Sequence, residues 1–163
     1  MRQHKPSIDP HKILRKKKKM ATSNELIEAE RKLGAEIFHG EAVCKEKMGQ
    51  ILEEYSLPAS ILPLKELMEL GFNRSNGFFW LKQKQKTEHK FKKIGDTILY
   101  DVEVTAFVEQ RRMTKLTGVK TKARLIPMTI CEMIVGSPSH DKVKIVTSSG
   151  LYRVHPISAL MED

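Results

Sequence analysis

Histidine and cysteine are the residue types in this chain that a zinc site would mainly use. Six histidines occur in the 163 residues, at positions 4, 11, 39, 89, 140 and 155. No two are separated by the roughly three to five residues that one helical face or a zinc loop uses. Cys44 and Cys131 have no ligand partner close in sequence, so we expect reduced thiols in a reducing compartment. The sequence predicts no metal site and no cofactor.

Serine, histidine and an acid, the groups that hydrolyse esters, come together once, in residues 137–141. Neighbours in one loop seldom converge on one substrate atom, and the Gly-x-Ser-x-Gly elbow of many hydrolases is absent. A second pair that could serve is Ser158 with His155. We expect a solvated loop, assign no catalytic residue, and keep an esterase acting on a small carboxylic ester as the alternative function.

Aromatic residues Phe78, Phe79 and Trp80 precede Lys82 and Lys84, a combination that could form a stacking platform for nucleic acid. A strand that is apolar at one end and charged at the other is more simply a core strand running out to the surface. We therefore do not predict nucleic acid as a partner.

The basic character of the chain is concentrated in a tail. The whole chain carries a formal charge of +9, of which residues 1–19 contribute +7 and residues 20–163 only +2. The tail has six basic residues that could contact an anionic membrane or act as a nuclear-import signal: Lys12, Arg15, Lys16, Lys17, Lys18 and Lys19. Because the run lacks an apolar partner face, we favour a solvated, disordered tail over residues 1–20. Since Met20 resembles a protein start, we also hypothesise that residues 1–19 extend a shorter native chain.

Two amphipathic helices are predicted in residues 21–56. The first is capped by Thr22 or Ser23, carries Leu26, Leu33 and Ile37 on one face, and stops at residues 39–40. The second begins at Glu41, and its apolar stripe lies at helical spacing. This stripe consists of Cys44, Met48, Ile51, Leu52 and Tyr55.

Residues 57–163 are predicted to form an antiparallel β domain. Residues 73–77 form a turn cluster typical of a hairpin, and the charged segment 82–93 suits only a solvent-facing or edge strand. Apolar and polar residues alternate from Tyr100 to Glu109 and again from Val119 to Leu125, as in half-buried strands. A short terminal helix is expected over 156–161. The two helices must bury their stripes on this β region, which makes a single domain.

Five sequence phrases, taken in order, resemble the plant family known as domain of unknown function 538: residues 51–58, 61–63, 77–84, 115–122 and 155–159. Within it, the phrase Trp80-Leu81-Lys82-Gln83-Lys84 is most similar to the branch that includes the "smaller trichomes with variable branches" proteins. The resemblance implies a plant source and an antiparallel β barrel or sandwich. It also implies a likeness to the lipid-binding domain of bactericidal permeability-increasing proteins, and an esterase role suggested for some members.

Together these observations predict a non-catalytic β module that binds an apolar, lipid-like ligand or a protein partner. No apolar run approaches the roughly 20 residues of a membrane span, and the basic start is not followed by the apolar core of a secretion signal. We therefore expect a monomer in the cytoplasm.

Overall fold

The computed structural model describes residues 22–122 and 126–161. The predicted disordered tail, with its six basic contact residues, lies outside this range. Within these residues, two helices in the N-terminal part of the chain flank one nine-stranded antiparallel sheet, so the predicted mainly β fold class is confirmed. The elements in chain order are α1 (Ser23–Lys32), β1 (Glu36–His39), α2 (Glu41–Glu54), β2 (Leu67–Asn73), β3 (Phe78–Gln83), β4 (Thr87–Phe91), β5 (Asp96–Glu109), β6 (Arg112–Thr121), β7 (Met128–Val135), β8 (Lys142–Thr147) and β9 (Tyr152–Pro156), with single 3-10 turns at Ala59–Ile61 and Ile157–Leu160.

The sheet follows the chain closely, in the order β1-β2-β3-β5-β6-β7-β8-β9, with β4 attached to β5 alone. This arrangement confirms the charged segment after β3 as an edge strand. The hairpin predicted at residues 73–77 joins β2 to β3. Within the described residues β1 and β9 do not pair with each other, so the sheet is not closed into a barrel.

Helix α2 packs its predicted stripe onto one face of the sheet. Cys44, Met48, Ile51 and Leu52 are buried there in the main apolar core. The inward residues of β3 on this face, Phe79 and Leu81, are fully buried in the same core. The other face of β3 carries Phe78 and Trp80, which form a smaller cluster with Ile27 of α1. The two helices therefore cover opposite faces of the sheet.

The predicted first helix is too long. Helix α1 ends at Lys32, and the backbone N–H of Ala35 reaches back to the carbonyl of Glu30 through Gly34, which has a φ of 82°. Such a left-handed glycine commonly ends a helix. Ile37 and Phe38 lie instead in strand β1 opposite Gly71 and Leu70, because the edge of β2 supplies backbone hydrogen-bond partners that helical periodicity does not reveal.

Two further expectations need correction. The predicted terminal helix is a single 3-10 turn, Ile157–Leu160. In β5, Val102 was expected inside but is 39% exposed, while Thr105 was expected outside but is 1% exposed. Val102 lies where the β5–β6 register shifts, between Tyr100 and Thr105. Thr105 does point away from the main core, as the alternation predicts, but it pairs with Trp80 on the face of the sheet that α1 covers. None of the helices among the described residues has the length and apolar composition needed to cross a bilayer.

Candidate functional site

An apolar pocket of about 390 Å³ opens at one end of the sheet, where five strands and their connections meet. Strand β5 contributes its first residues to the wall, β6 its last residue, and β7, β8 and β9 the remainder. The lining residues are Ile94, Asp96, Ile98, Thr121, Ile126, Met128, Ile130, Ile145, Thr147, Leu151, Tyr152, Arg153 and His155.

The floor of the pocket is continuous with the main core. Ile98, Ile130 and Ile145 line the pocket and also belong to the core cluster. These three, together with Ile94, also border a small internal void of about 10 Å³ among core side chains. The apolar wall therefore extends from solvent into the interior, as in pockets that hold apolar small molecules.

The mouth of the pocket is also apolar. Ile126, Leu151 and Tyr152 are 69%, 63% and 58% exposed. Single exposed apolar residues are ordinary, but these three lie around one cavity. The ring of Tyr152 is further positioned by the Lys144 ammonium, whose Nζ lies 4.2 Å from the ring centroid.

Asp96 is the buried acid of the pocket wall. It follows the Gly95 turn and begins β5 opposite Phe91, and it is only 7% exposed. Its Oδ2 accepts a hydrogen bond of 2.5 Å from the Thr121 hydroxyl, whereas its Oδ1 is buried and has no partner among the described residues. Buried polar atoms are nearly always satisfied in native proteins, so this oxygen is an exception with a cost.

His155 and Arg153 complete the polar part of the wall from β9. Burial and the positive charge of Arg153 lower the pKa of His155, and the charge of Asp96 offsets them only in part. The lowered pKa favours the uncharged form of His155 at neutral pH. Among the lining residues that the structure describes, the acidic side chain is Asp96 and the basic side chain beside His155 is Arg153. Arg153 is exposed to solvent, whereas Asp96 is withdrawn from it.

A second buried carboxylate, Glu69 of β2, lies away from the pocket beneath α1. It accepts hydrogen bonds from the Trp80 indole at 2.9 Å, from His39 at 3.0 Å and from the Arg31 guanidinium. Burial would raise the pKa of Glu69, but these hydrogen bonds and the charge of Arg31 outweigh it and lower the pKa to about 2. We call Glu69 with Arg31, His39 and Trp80 the Glu69 cluster.

Further polar contacts hold α1 on the same face. Glu30 accepts hydrogen bonds from the side-chain amides of Asn73 at 2.8 Å and Asn76 at 2.9 Å. The Ser23 hydroxyl donates to Glu103 at 2.9 Å. Both carboxylate oxygens of Glu69 and of Glu30 accept hydrogen bonds from protein donors. These contacts hold the N-terminal helix on the sheet and leave neither carboxylate with an unpaired oxygen for a ligand.

The serine, histidine and acidic residues that the sequence offers for ester hydrolysis do not form a hydrogen-bonded triad in the described residues. The Ser139 hydroxyl donates to Asp141 at 2.7 Å in an exposed loop. No serine–histidine hydrogen bond forms within residues 22–122 and 126–161. His155 lies in the pocket, while His140 remains on the exposed loop. The described part of the chain also has no cluster of three or more His, Cys, Asp or Glu side chains suited to a metal.

The aromatic platform considered for nucleic acid is not a surface. Phe78, Phe79 and Trp80 are at most 1% exposed, as the interpretation of a core strand requires. The sequence does not predict Asp96 as a buried residue, because an aspartate after glycine is typical of a solvated turn. The apolar alternation of this strand begins only at Tyr100, so it does not reveal that β5 starts at Asp96.

Comparison with known proteins returned one finding. The family model described as "Protein of unknown function, DUF538" matches residues 48–160. Every pocket-lining residue falls within this range, whereas α1 and β1 precede it. Neither curated proteins nor solved structures gave a significant match.

Proposed function

The chain belongs to the family described as "Protein of unknown function, DUF538", and we propose that it is a non-catalytic module that holds an apolar small molecule in the pocket between β5 and β9. The observation that carries the proposal is the continuity of the pocket with the core. Ile98, Ile130 and Ile145 present apolar surface at the bottom of an open cavity, where a soluble domain would otherwise close its core.

The dimensions and chemistry of the pocket support a small ligand. Its volume of about 390 Å³ falls within the range of roughly 300 to 1,000 Å³ that is usual for ligand sites. The lining is mostly aliphatic with a few polar groups, and such groups orient a ligand in its site. The exposed mouth residues would be covered as the ligand enters, which adds to the apolar area removed from water.

Two finer inferences rest on sequence resemblance. The phrase Trp80 to Lys84 supports a plant source and a place near the trichome-associated branch. The esterase alternative stays a prediction, because it needs a nucleophile that His155 can activate. Comparable ester turnover by the wild type and by the His155→Ala and His140→Ala variants would leave only background hydrolysis.

A neutral fluorescent probe, N-phenyl-1-naphthylamine, tests the proposal. Its emission should rise on binding to the wild type, and Met128→Trp, which places an indole in the pocket wall, should abolish that rise. Met68→Trp is the matched control, because Met68 is 56% exposed on β2 and does not line the pocket. Melting curves verify that both variants fold.

Equal probe binding by Met128→Trp and the wild type would refute the proposed pocket. The single tryptophan of the chain is a poor reporter for this experiment, because Trp80 is fully buried on the opposite face of the sheet. Emission must therefore be followed from the probe. Capture of a protein at the mouth, without probe binding, would favour a protein partner instead.

A further inference from the structure

The charge of residues 20–163 is divided unevenly along the chain. Residues 110–161, which include β6, β7, β8 and β9, carry nine basic and two acidic side chains, a net charge of +7. Residues 20–109 carry twelve basic and fifteen acidic side chains, a net charge of −3, and residues 162–163 are both acidic. The exposed residues of the pocket mouth all belong to the basic part. The small net charge of the whole therefore conceals a basic half that contains the mouth.

Cations lie beside the mouth in space as well as in sequence. Arg153 lines the pocket and is exposed. Lys122 is exposed next to Thr121 of the pocket wall, and Nζ of Lys144 lies 4.2 Å from the centroid of the Tyr152 ring. Within the part of the chain that the structure describes, none of these three cations forms an ion pair. No acid in that part neutralises them at short range.

The exposed apolar residues of the mouth come from two separate connections. Ile126 lies between β6 and β7, whereas Leu151 and Tyr152 lie where the turn after β8 leads into β9. We call these three residues the apolar rim. Neither connection contains an acidic residue, because none occurs in residues 110–131 or 142–161. Aliphatic side chains beside basic ones match the two layers of a bilayer surface, acyl chains beneath anionic headgroups.

We propose that the apolar rim docks this protein on an anionic bilayer, with the rim at the level of the upper acyl chains and the three cations against the headgroup phosphates. Tyr152 suits this boundary, because its ring is apolar and its hydroxyl can remain in water. The docking adds a partner to the proposed function. Only the entry of a ligand from the bilayer into the pocket rests on that function, and the docking itself does not.

An anionic bilayer accounts for the rim better than an acidic protein partner does. Ile126 and Leu151 are 69% and 63% exposed, and a hydrocarbon layer removes both from water without a complementary cavity. An acidic protein surface offers partners for the cations alone. Asp96, the acid of the pocket lining, is only 7% exposed and so presents little charge to the headgroups.

Quenching by brominated lipid tests where the rim lies. Tyr152→Trp places an indole on the rim of the full-length chain. The vesicles contain equal parts of phosphatidylglycerol and of phosphatidylcholine with brominated acyl chains. The emission of Tyr152→Trp should be quenched on binding, whereas that of Leu33→Trp should not. Leu33 is the matched control because it is 67% exposed at the end of α1 and does not line the pocket.

The quenching result is independent of the native tryptophan and of the basic tail. Trp80 is fully buried and present in both variants, so the wild type gives its contribution. Attraction of residues 1–19 to the vesicles would not quench an indole on the rim, because bromine acts only on groups that reach the acyl chains. Melting curves verify that both variants fold.

Co-sedimentation with unbrominated vesicles of the same lipids tests the two parts of the surface. Leu151→Glu should weaken binding at least about tenfold, because it loses apolar burial and adds a repelled charge. Arg153→Gln should weaken binding about fivefold, as for one cation near a charged leaflet. Leu33→Glu and Lys45→Gln make the same changes of charge elsewhere and should bind nearly as the wild type does, since Lys45 is exposed on α2. Added salt should weaken the binding of all of them.

The outcomes separate the partners and the two proposals. Unquenched emission from Tyr152→Trp, or equal vesicle binding by Leu151→Glu and Leu33→Glu, overturns the docking. Poly-glutamate that binds through Arg153, without quenching by the vesicles, overturns it in favour of an acidic protein. None of these measurements uses a pocket ligand. Failure to bind N-phenyl-1-naphthylamine therefore overturns the proposed function alone, and Tyr152→Trp decides the docking even if Leu151→Glu does not fold.

Discussion

Two acidic side chains are withdrawn from solvent in this sheet, and their surroundings differ. Glu69 and Asp96 are each 7% exposed. Glu69 receives hydrogen bonds from Arg31, His39 and Trp80, whereas Asp96 receives one, from Thr121. A buried carboxylate with several donors holds structural elements together, whereas one with an unpaired oxygen contributes less to stability. We therefore expect Glu69 and Asp96 to differ in what they contribute to the fold.

The two regions also differ in the origin of their parts. Arg31 and His39 precede the family-matched range, so the Glu69 cluster joins an N-terminal segment to the part of the chain that the family model matches. The pocket is built entirely inside that range. Damage to the first region should therefore reduce stability, and damage to the second should alter binding.

The largest expected effect is the loss of Glu69. Glu69→Ala leaves the Trp80 N–H without its acceptor and leaves Arg31 with Glu28 as its remaining carboxylate partner. Removing one partner of a buried ion pair costs about 3 to 5 kcal/mol. Urea denaturation followed by Trp80 emission measures the free energy of unfolding. Glu88→Ala, on the exposed side of edge strand β4, is the control and should change it little. If Glu69→Ala lowered the free energy of unfolding by less than about 1 kcal/mol, the Glu69 cluster would not be what holds α1 on the sheet.

Gly71 offers the next largest effect on the same region. A Cβ at this position would lie 2.0 Å from Cζ2 of Trp80, whose side chain is fully buried and has no room to move away. Gly71→Ala should lower the free energy of unfolding by about 1 to 3 kcal/mol through this overpacking. Gly49→Ala, in helix α2 with open space around it, should instead raise stability by up to about 1 kcal/mol. Matching signs for the two variants would contradict the packing of Trp80 on Gly71.

The stability that the Glu69 cluster contributes should depend on pH. Because the folded state lowers the pKa of Glu69 from 4.5 to about 2, its stabilisation is complete above the unfolded-state pKa and declines as the pH falls from about 4.5 towards 2. Denaturation curves at several pH values in this window should show that decline in the wild type. In Glu69→Gln the same window should be flatter, and an unchanged slope would assign the acid sensitivity to other carboxylates.

The smallest expected effect on stability is at Asp96. Asp96→Asn should change the free energy of unfolding by less than about 1 kcal/mol, because the amide oxygen can still accept the hydrogen bond from Thr121. Its melting temperature should therefore lie close to that of the wild type, far from that of Glu69→Ala. A destabilisation as large as that of Glu69→Ala would show that Asp96, too, holds the fold together.

Local sequence patterns predicted much of this fold correctly. The stripe of α2, the turn at residues 73–77 and the alternation in β5 each depend on the period of a helix or strand, and this period is visible in neighbouring residues. The family resemblance rested on the same local phrases. The role of the basic tail stays a prediction, since those residues lie outside the described range.

Sheet pairing decided what the local patterns could not. Ile37 and Phe38 suit a helix or a strand, and the backbone edge of β2 selected the strand. Both carboxylate sites likewise join residues far apart in the chain: Arg31 of α1 bonds to Glu69 of β2. Asp96 and His155 line one pocket because the start of β5 lies near β9. A buried acid has all its hydrogen-bond partners only if the strand order and register bring donors within about 3 Å of its oxygens. The periodicity of neighbouring residues does not reveal such distances between remote parts of the chain.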